Sequence, residues 1–197
     1  MKVLKAWTLV LGVMLSWVMA MPAHAVQEVA GVKFQDSLVL GGQPLQLNGA
    51  GLRRMMILKV YALGLYVPRR DASPSAIMNQ PGPKSIQIVL LRDVDAGRLT
   101  DALVGDVEAN SSDTEMLALR GRLDAMASNL RKSGDAVEGS VVRIDYVPNQ
   151  GTTISNNGKV VVHDVPGEDF YRALLRIWLG EHPADKSLKK QLLGLDN

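Results

Sequence analysis

Arg53 and Arg54 stand at the head of an apolar run, Met55 to Val67, that also carries Tyr61 and Tyr66. A guanidinium can hold an oxyanion through two parallel hydrogen bonds. Placed beside an apolar strand, it suggests a pocket for an amphipathic anion, and the Tyr61 hydroxyl could add a second polar contact. Gly49-Ala50-Gly51 comes just before the arginines and reads as a tight turn, because glycine takes positive φ angles without a steric penalty. The same residues fail as a dinucleotide-binding loop. Position 54 is arginine where a third glycine is needed, and no helix opens there.

Other chemistries find little support. The chain has no cysteine, which removes disulfides, thiol catalysis and thiolate metal sites. His163 and His182 have no second histidine or carboxylate at metal-ligand spacing, so neither a metal nor any other cofactor is expected. No Gly-x-Ser-x-Gly elbow occurs, so a serine hydrolase has no foothold. Met55, Met56, Met116 and Met126 read as core filler suited to a pocket that adapts to several apolar shapes. Phe170 and Trp178 fall on the apolar side of a helix and read as core. Arg92-Asp93 reads as a structural pair anchoring a turn at a strand end.

The elements that position these residues alternate irregularly. Val26–Phe34, Ser37–Leu40 and Leu45–Asn48 read as short strands before the glycines, and Lys59–Val67 as a well-marked strand ended by Pro68. Ser73-Pro74 opens a short helix within Asp71–Gln80, and Ile86–Leu91 is apolar enough for a buried central strand. Leu99, Leu103 and Val107 then recur at helical spacing, with Asp93 or Asp95 as the cap. Ser112 with Glu115 makes a capping box, and Met116, Leu119, Leu123, Met126 and Leu130 continue as a long helix that stops at Gly134. Val141–Val147 alternates as a half-buried strand, and Asn157-Gly158 predicts a type I′ hairpin between Thr152–Ser155 and Lys159–Val162. Glu168–Leu179 and Ala184–Leu193 read as closing helices. Strands in hairpins and helices in runs indicate an α+β fold with an antiparallel sheet.

The chain has 197 residues, 47% hydrophobic and 21% charged, within the range of one globular domain. Its N-terminus is different in kind. Lys2 and Lys5 precede the uncharged run Ala6–Ala20, and Ala23-His24-Ala25 offers small residues where a signal peptidase cuts. Residues 1–25 are expected to be an export signal, cleaved after Ala25, leaving 26–197 as a single periplasmic domain. The run is shorter than the roughly 20 residues a bilayer needs, so no stable membrane insertion is expected after cleavage. Without Lys2 and Lys5 the balance is 20 basic to 20 acidic residues, which gives no general attraction to nucleic acid or anionic lipid.

Asn48-Gly49-Ala50-Gly51-Leu52-Arg53 followed by Lys59-Val60-Tyr61-Ala62-Leu63-Gly64-Leu65-Tyr66 resembles the front half of the chalcone isomerase-like family. Arg92-Asp93-Val94-Asp95-Ala96, the hairpin near 151–158, Asp169-Phe170-Tyr171 and Leu174 to Gly180 extend the resemblance from about Val32 to Gly194. It implies an open-faced sandwich, with helices packed on one face of the antiparallel sheet. In the plant enzymes of this family the arginine matching Arg53 binds the phenolate-bearing substrate and stabilises developing charge. Tyr61 stands where those enzymes have a threonine, and Ile177 where they have another. Their water-orienting tyrosine and asparagine lie on a helix corresponding to Thr114–Leu130, which has no tyrosine and only Asn129.

Ring closure needs a positioned proton donor, typically worth 10²–10⁴-fold, and a lone arginine does not supply it. The resemblance therefore points to the non-catalytic branches, among them plant proteins that bind fatty acids with an arginine at the carboxylate. The expectation is a non-enzymatic protein that binds a small amphipathic anion, such as a fatty acid. Arg53 would be at the head, Tyr61 would add a hydroxyl, and Ile177 would touch the tail. Two alternatives stay open: an isomerase or intramolecular lyase of the chalcone type, and a ligand-free envelope interaction protein in which Arg53 merely pairs with an acid.

Overall fold

The computed structural model describes residues 26–195; the expected signal segment, 1–25, lies outside them. The chain begins with a small hairpin, β1 (Val26–Val29) and β2 (Val32–Gln35), which splits what reads in sequence as one strand at Ala30-Gly31, both at positive φ. Seven further strands form one antiparallel sheet in sequence order. They are β3 (Ser37–Leu40), β4 (Gln43–Met55), β5 (Leu58–Val67), β6 (Lys84–Leu90), β7 (Val141–Val147), β8 (Gly151–Asn156) and β9 (Lys159–Val165). β6 is the middle strand, as the largely apolar stretch Ile86–Leu91 predicts. A short helix α1 (Pro74–Asn79) precedes it, and α2 (Ala96–Ala109) with α3 (Asp113–Lys132) form the long crossing to β7. α4 (Glu168–Leu179) and α5 (Lys186–Leu192) close the chain.

Several local expectations are met for the physical reasons given. Asp95 caps α2 by accepting from the Arg98 backbone N–H at 2.8 Å. Ser112 and Glu115 form both halves of the capping box on α3, which buries Met116, Leu119, Leu123 and Met126. Asn157 and Gly158 take φ of 50° and 78° in the β8–β9 hairpin. Arg92 and Asp93 form no ion pair among the described residues; the Asp93 carboxylate instead accepts from the Glu138 backbone N–H at 2.8 Å.

The Gly49-Ala50-Gly51 turn does not exist. These residues lie inside β4, a single strand of 13 residues. The glycines are required by close approach. A methyl at Gly49 would overlap the carbonyl oxygen of Gln191, and one at Gly51 would overlap the Gln191 side chain, both from α5. Gln191 Oε1 in turn accepts from the Leu52 backbone N–H at 2.8 Å, and Asn48 Nδ2 donates to the Leu192 carbonyl at 2.7 Å. The last helix is thus fastened to the strand that carries the arginines.

The sheet divides the molecule into two apolar regions. On one face α4 lays down Phe170, Tyr171, Leu174, Ile177 and Trp178, all buried, over Leu63, Leu65, Ile86 and Ile144. Each such side chain contributes roughly 1.5–3 kcal/mol on burial. The first half of α3 is tied to α4 twice, by Arg122 to Asp169 and by Glu115 to Arg176. Among the described residues the opposite face carries no helix; Phe34 of β2 packs there with Leu45, Leu47, Ala62 and Tyr66. A Cβ at Gly64 would come within 2.7 Å of the Phe34 ring. Tyr61 and Tyr66, five residues apart on β5, point to opposite faces by simple alternation.

Candidate functional site

Two bulges shape the β4–β5 pair. Arg53 pairs with Tyr61 while Arg54 pairs with Lys59, so Val60 is an extra residue on β5. A bulge at the end of a pair re-aims the adjacent side chains. Here Arg53 and Tyr61, directly opposite each other, face the helices, whereas Arg54 is exposed and offers its backbone N–H to Asp185.

α2 packs chiefly on α3 and α4. Between it and the sheet runs an apolar slot with an open volume of about 80 Å³. Its floor crosses β5 to β9, from Tyr61 past Leu90 and Ile144 to Val161, and its roof is Leu99, Leu103 and Asp106 of α2 with Leu130 of α3. At roughly 4.8 Å per strand the floor spans about 19 Å. Occupied small-molecule pockets usually measure about 300–1,000 Å³, so a ligand with a long tail must displace lining side chains. Leu99, Leu103 and Leu130 are only partly buried, which gives them room to rotate outward.

The polar groups gather at one end. The Arg53 guanidinium carbon sits 5.5 Å from the Tyr61 ring centre. Trp178 Nε1 donates to the Tyr61 hydroxyl at 2.8 Å. An indole N–H can only donate, so it takes an oxygen lone pair and leaves the Tyr61 proton free for another acceptor. Burial pushes the Tyr61 phenol above its usual range, against the opposing effects of the Arg53 charge and the Trp178 hydrogen bond, so it stays a neutral donor. Arg53 makes no ion pair among the described residues, and its Nε is buried without a hydrogen-bond partner. Asp106 faces the same space from α2. Burial pushes its carboxyl up, and the Arg53 charge pulls against that shift. At the far end Asn156 presents a buried amide oxygen that also has no partner.

Arg53, Tyr61 and Ile177 therefore line one cavity, with Arg53 and Tyr61 adjoining at its polar end. Trp178 belongs to it as well as to the core, and its role in orienting Tyr61 has no signature in a single sequence. Asp106 does have one. It lies seven residues after Leu99, on the same helical stripe as Leu103, where an acid interrupts an otherwise apolar face. Asn110 and Asn129 serve no role there: Asn110 bonds the His182 backbone at both its amide atoms, and Asn129 is exposed. Among the described residues no group of three or more histidine or carboxylate side chains could hold a metal ion, and no helix is long and apolar enough to cross a membrane.

No curated protein matches this chain. Among solved structures, the crystal structure of a fatty-acid binding protein from Arabidopsis thaliana is similar with a TM-score of 0.62, at 17% identity. The match covers 83% of this chain and 92% of that one. That likeness is one of fold: a curled antiparallel sheet with helices on one face. The sequence match is broader in consequence, since it runs from residue 26 to 194, across β1 through α5 and every residue of the slot, and it makes this chain a member of the chalcone isomerase-like family.

Proposed function

We propose that the protein is an exported, non-catalytic binder of a small amphipathic anion, a fatty acid or a molecule of similar build. The observation that carries this reading is a guanidinium without an ionic partner among the described residues beside a free phenolic proton, both at one end of an apolar slot. A carboxylate at that end would accept from Arg53 and Tyr61 together, and the tail would lie across the sheet against Ile177, Leu90 and Ile144. Each buried methylene would add about 0.8 kcal/mol. The likeness in fold to a fatty-acid binding protein supports the same reading.

Titration of the protein with a saturated 16-carbon fatty acid, followed by native mass spectrometry, tests it. A one-to-one complex that weakens sharply in Arg53→Ala is expected; no binding by the wild type, or equal binding by the variant, overturns it. The lysines, apolar run and small residues of the first 25 positions support export to the periplasm, and N-terminal sequencing of the exported protein should begin at Val26.

One observation favours a second reading, an isomerase of the chalcone type. Asp106 supplies an ionisable group whose pKa is raised, opposite Arg53, where the plant proton-transfer residues are missing. Loss of chalcone absorbance faster than in buffer, and slowed in Asp106→Asn, would establish that reading; a rate equal to buffer removes it for that substrate.

A further inference from the structure

The tip of the β4–β5 hairpin has no role in the fold. Met55 and Leu58 close the pair, and Met56-Ile57 form its two-residue turn. Met56 and Ile57 are 93% and 91% exposed, and Met55 and Leu58 are 57% and 46% exposed. Met56 also holds φ at 56°, a conformation for which such turns select asparagine or glycine. Four consecutive apolar residues here neither pack against the core nor suit the turn they make, and an exposed apolar patch of this kind marks a contact surface.

The surroundings identify the contact. Arg54 and Lys59 flank the tip and are exposed. The Leu91 N–H bonds the Val60 carbonyl, which brings exposed Arg92 to the same end of the sheet, and Lys186 opens α5 beside it. Acids lie further along this end: Asp93, Asp95, Asp135 and Asp185, whose carboxylates accept from backbone N–H groups, and Glu138, which is exposed. The cations nearest the tip are Arg54 and Lys59, one on each strand, and an apolar point flanked in this way is complementary to the surface of an anionic bilayer, with phosphates outside and acyl chains within. The absence of net charge in the chain from Val26 onward does not oppose this, because screening limits the interaction to charges near the surface.

We infer that the hairpin tip docks on anionic phospholipid membrane. Met56 and Ile57 enter the boundary between headgroups and chains, and Arg54 and Lys59 rest on the phosphates. Arg53 follows Leu52 into the slot two residues from Met55, so docking brings the polar end of the cavity to the membrane surface. Passage of a ligand between bilayer and slot rests on the fatty-acid reading; docking itself does not.

The test uses the chain from Val26 onward, which contains every described element, sedimented with vesicles of phosphatidylglycerol and phosphatidylcholine or of phosphatidylcholine alone. The wild type should pellet with the anionic vesicles and be released by salt. Met56→Asp with Ile57→Asp should weaken this at least about tenfold, and Arg54→Gln with Lys59→Gln by roughly 25-fold, about fivefold per cation. Fatty-acid affinity in solution should be unchanged in both, which separates failure of docking from failure of the slot. Wild type left in the supernatant, or tip variants that bind as well as wild type, overturns the inference. So does a dimer in vesicle-free solution that the tip variant dissociates without any vesicle binding by the wild type; a second copy would then be the partner.

Discussion

Arg53 and Arg143 stand on opposite faces of the same sheet and have opposite surroundings. Arg143, on the face without helices, bonds the Asp145 carboxylate at 3.1 Å and the Ser85 hydroxyl at 3.4 Å, and Ser85 donates to the same carboxylate. The three groups form a polar clasp across β6 and β7. Arg53, on the helical face, has an aromatic ring beneath it and a hollow in front of it. A cation whose partners come from its own sheet helps to hold strands together, whereas one left over an apolar space is suited to a charge that arrives from outside.

The sharpest way to break this comparison is to remove each guanidinium in turn. Arg53→Met should weaken fatty-acid binding by roughly 10- to 150-fold, the equivalent of about 1.5–3 kcal/mol for a charge-assisted hydrogen bond, with little change in the urea midpoint. Arg143→Met should do the reverse, leaving affinity intact and lowering stability by at most about 1 kcal/mol, since the pair is partly solvated. Matching behaviour in the two variants would erase the distinction.

A second substitution separates charge from space. Leu103→Trp fills the slot and leaves Arg53 untouched. It should cost at least about tenfold in affinity for a 16-carbon chain, within the roughly 1–3 kcal/mol typical of overpacking, and less for an eight-carbon chain. Equal losses for both lengths would place the tail elsewhere. Tyr61→Phe should have a smaller effect, roughly two- to tenfold, the range for one neutral hydrogen bond. Calorimetric titration of the variant measures it directly.

The smallest effect concerns pH. Asp106 has a raised carboxyl pKa in the folded protein, so its contribution to stability is present at low pH and lost as pH rises through that value. Asp169 is the opposite case: the hydrogen bonds and charge of Arg122 hold it low, and its contribution is lost as pH falls through the folded value. Asp106→Asn should therefore raise the urea midpoint at pH 7 and make little difference below about pH 3.9, the ordinary aspartate value. Above the folded pKa of Asp106 it should also strengthen binding of an anion a few-fold, because a like charge then leaves the cavity. A midpoint that drops at pH 7 would mean that Asp106 supports the fold through a contact with Arg53.

The readable parts of this chain were those set by local rules. Ser112 with Glu115 specifies a helix start, Asn157-Gly158 specifies a turn, and the apolar spacing of α3 specifies its buried side, all within a few residues. Arg53 and Tyr61 were legible as candidates because a cation and a phenol on an apolar strand are unusual company. Local patterns mislead or fall silent where distant segments decide. Gly49 and Gly51 read as a turn because the helix that presses on them lies about 140 positions later in the chain. Trp178 reads as core and is core, but its hydrogen bond to Tyr61, 117 residues away, leaves no local trace; Asp106 shows only as an acid in the apolar stripe of α2, and its role depends on which way that helix faces.

That fastening of the final helix onto β4 has a temporal consequence. Asn48 and Leu52 gain their local partners early, Asn48 from the Asp71 backbone and Leu52 from the pairing with β5, but they are fully seated only when Gln191 and Leu192 of α5 add their contacts. Contacts this distant in sequence are slow to form. A nascent or prematurely terminated chain lacking α5 would carry Arg53 on an incompletely secured strand, and the polar end of the slot would take its final shape only once that helix has docked.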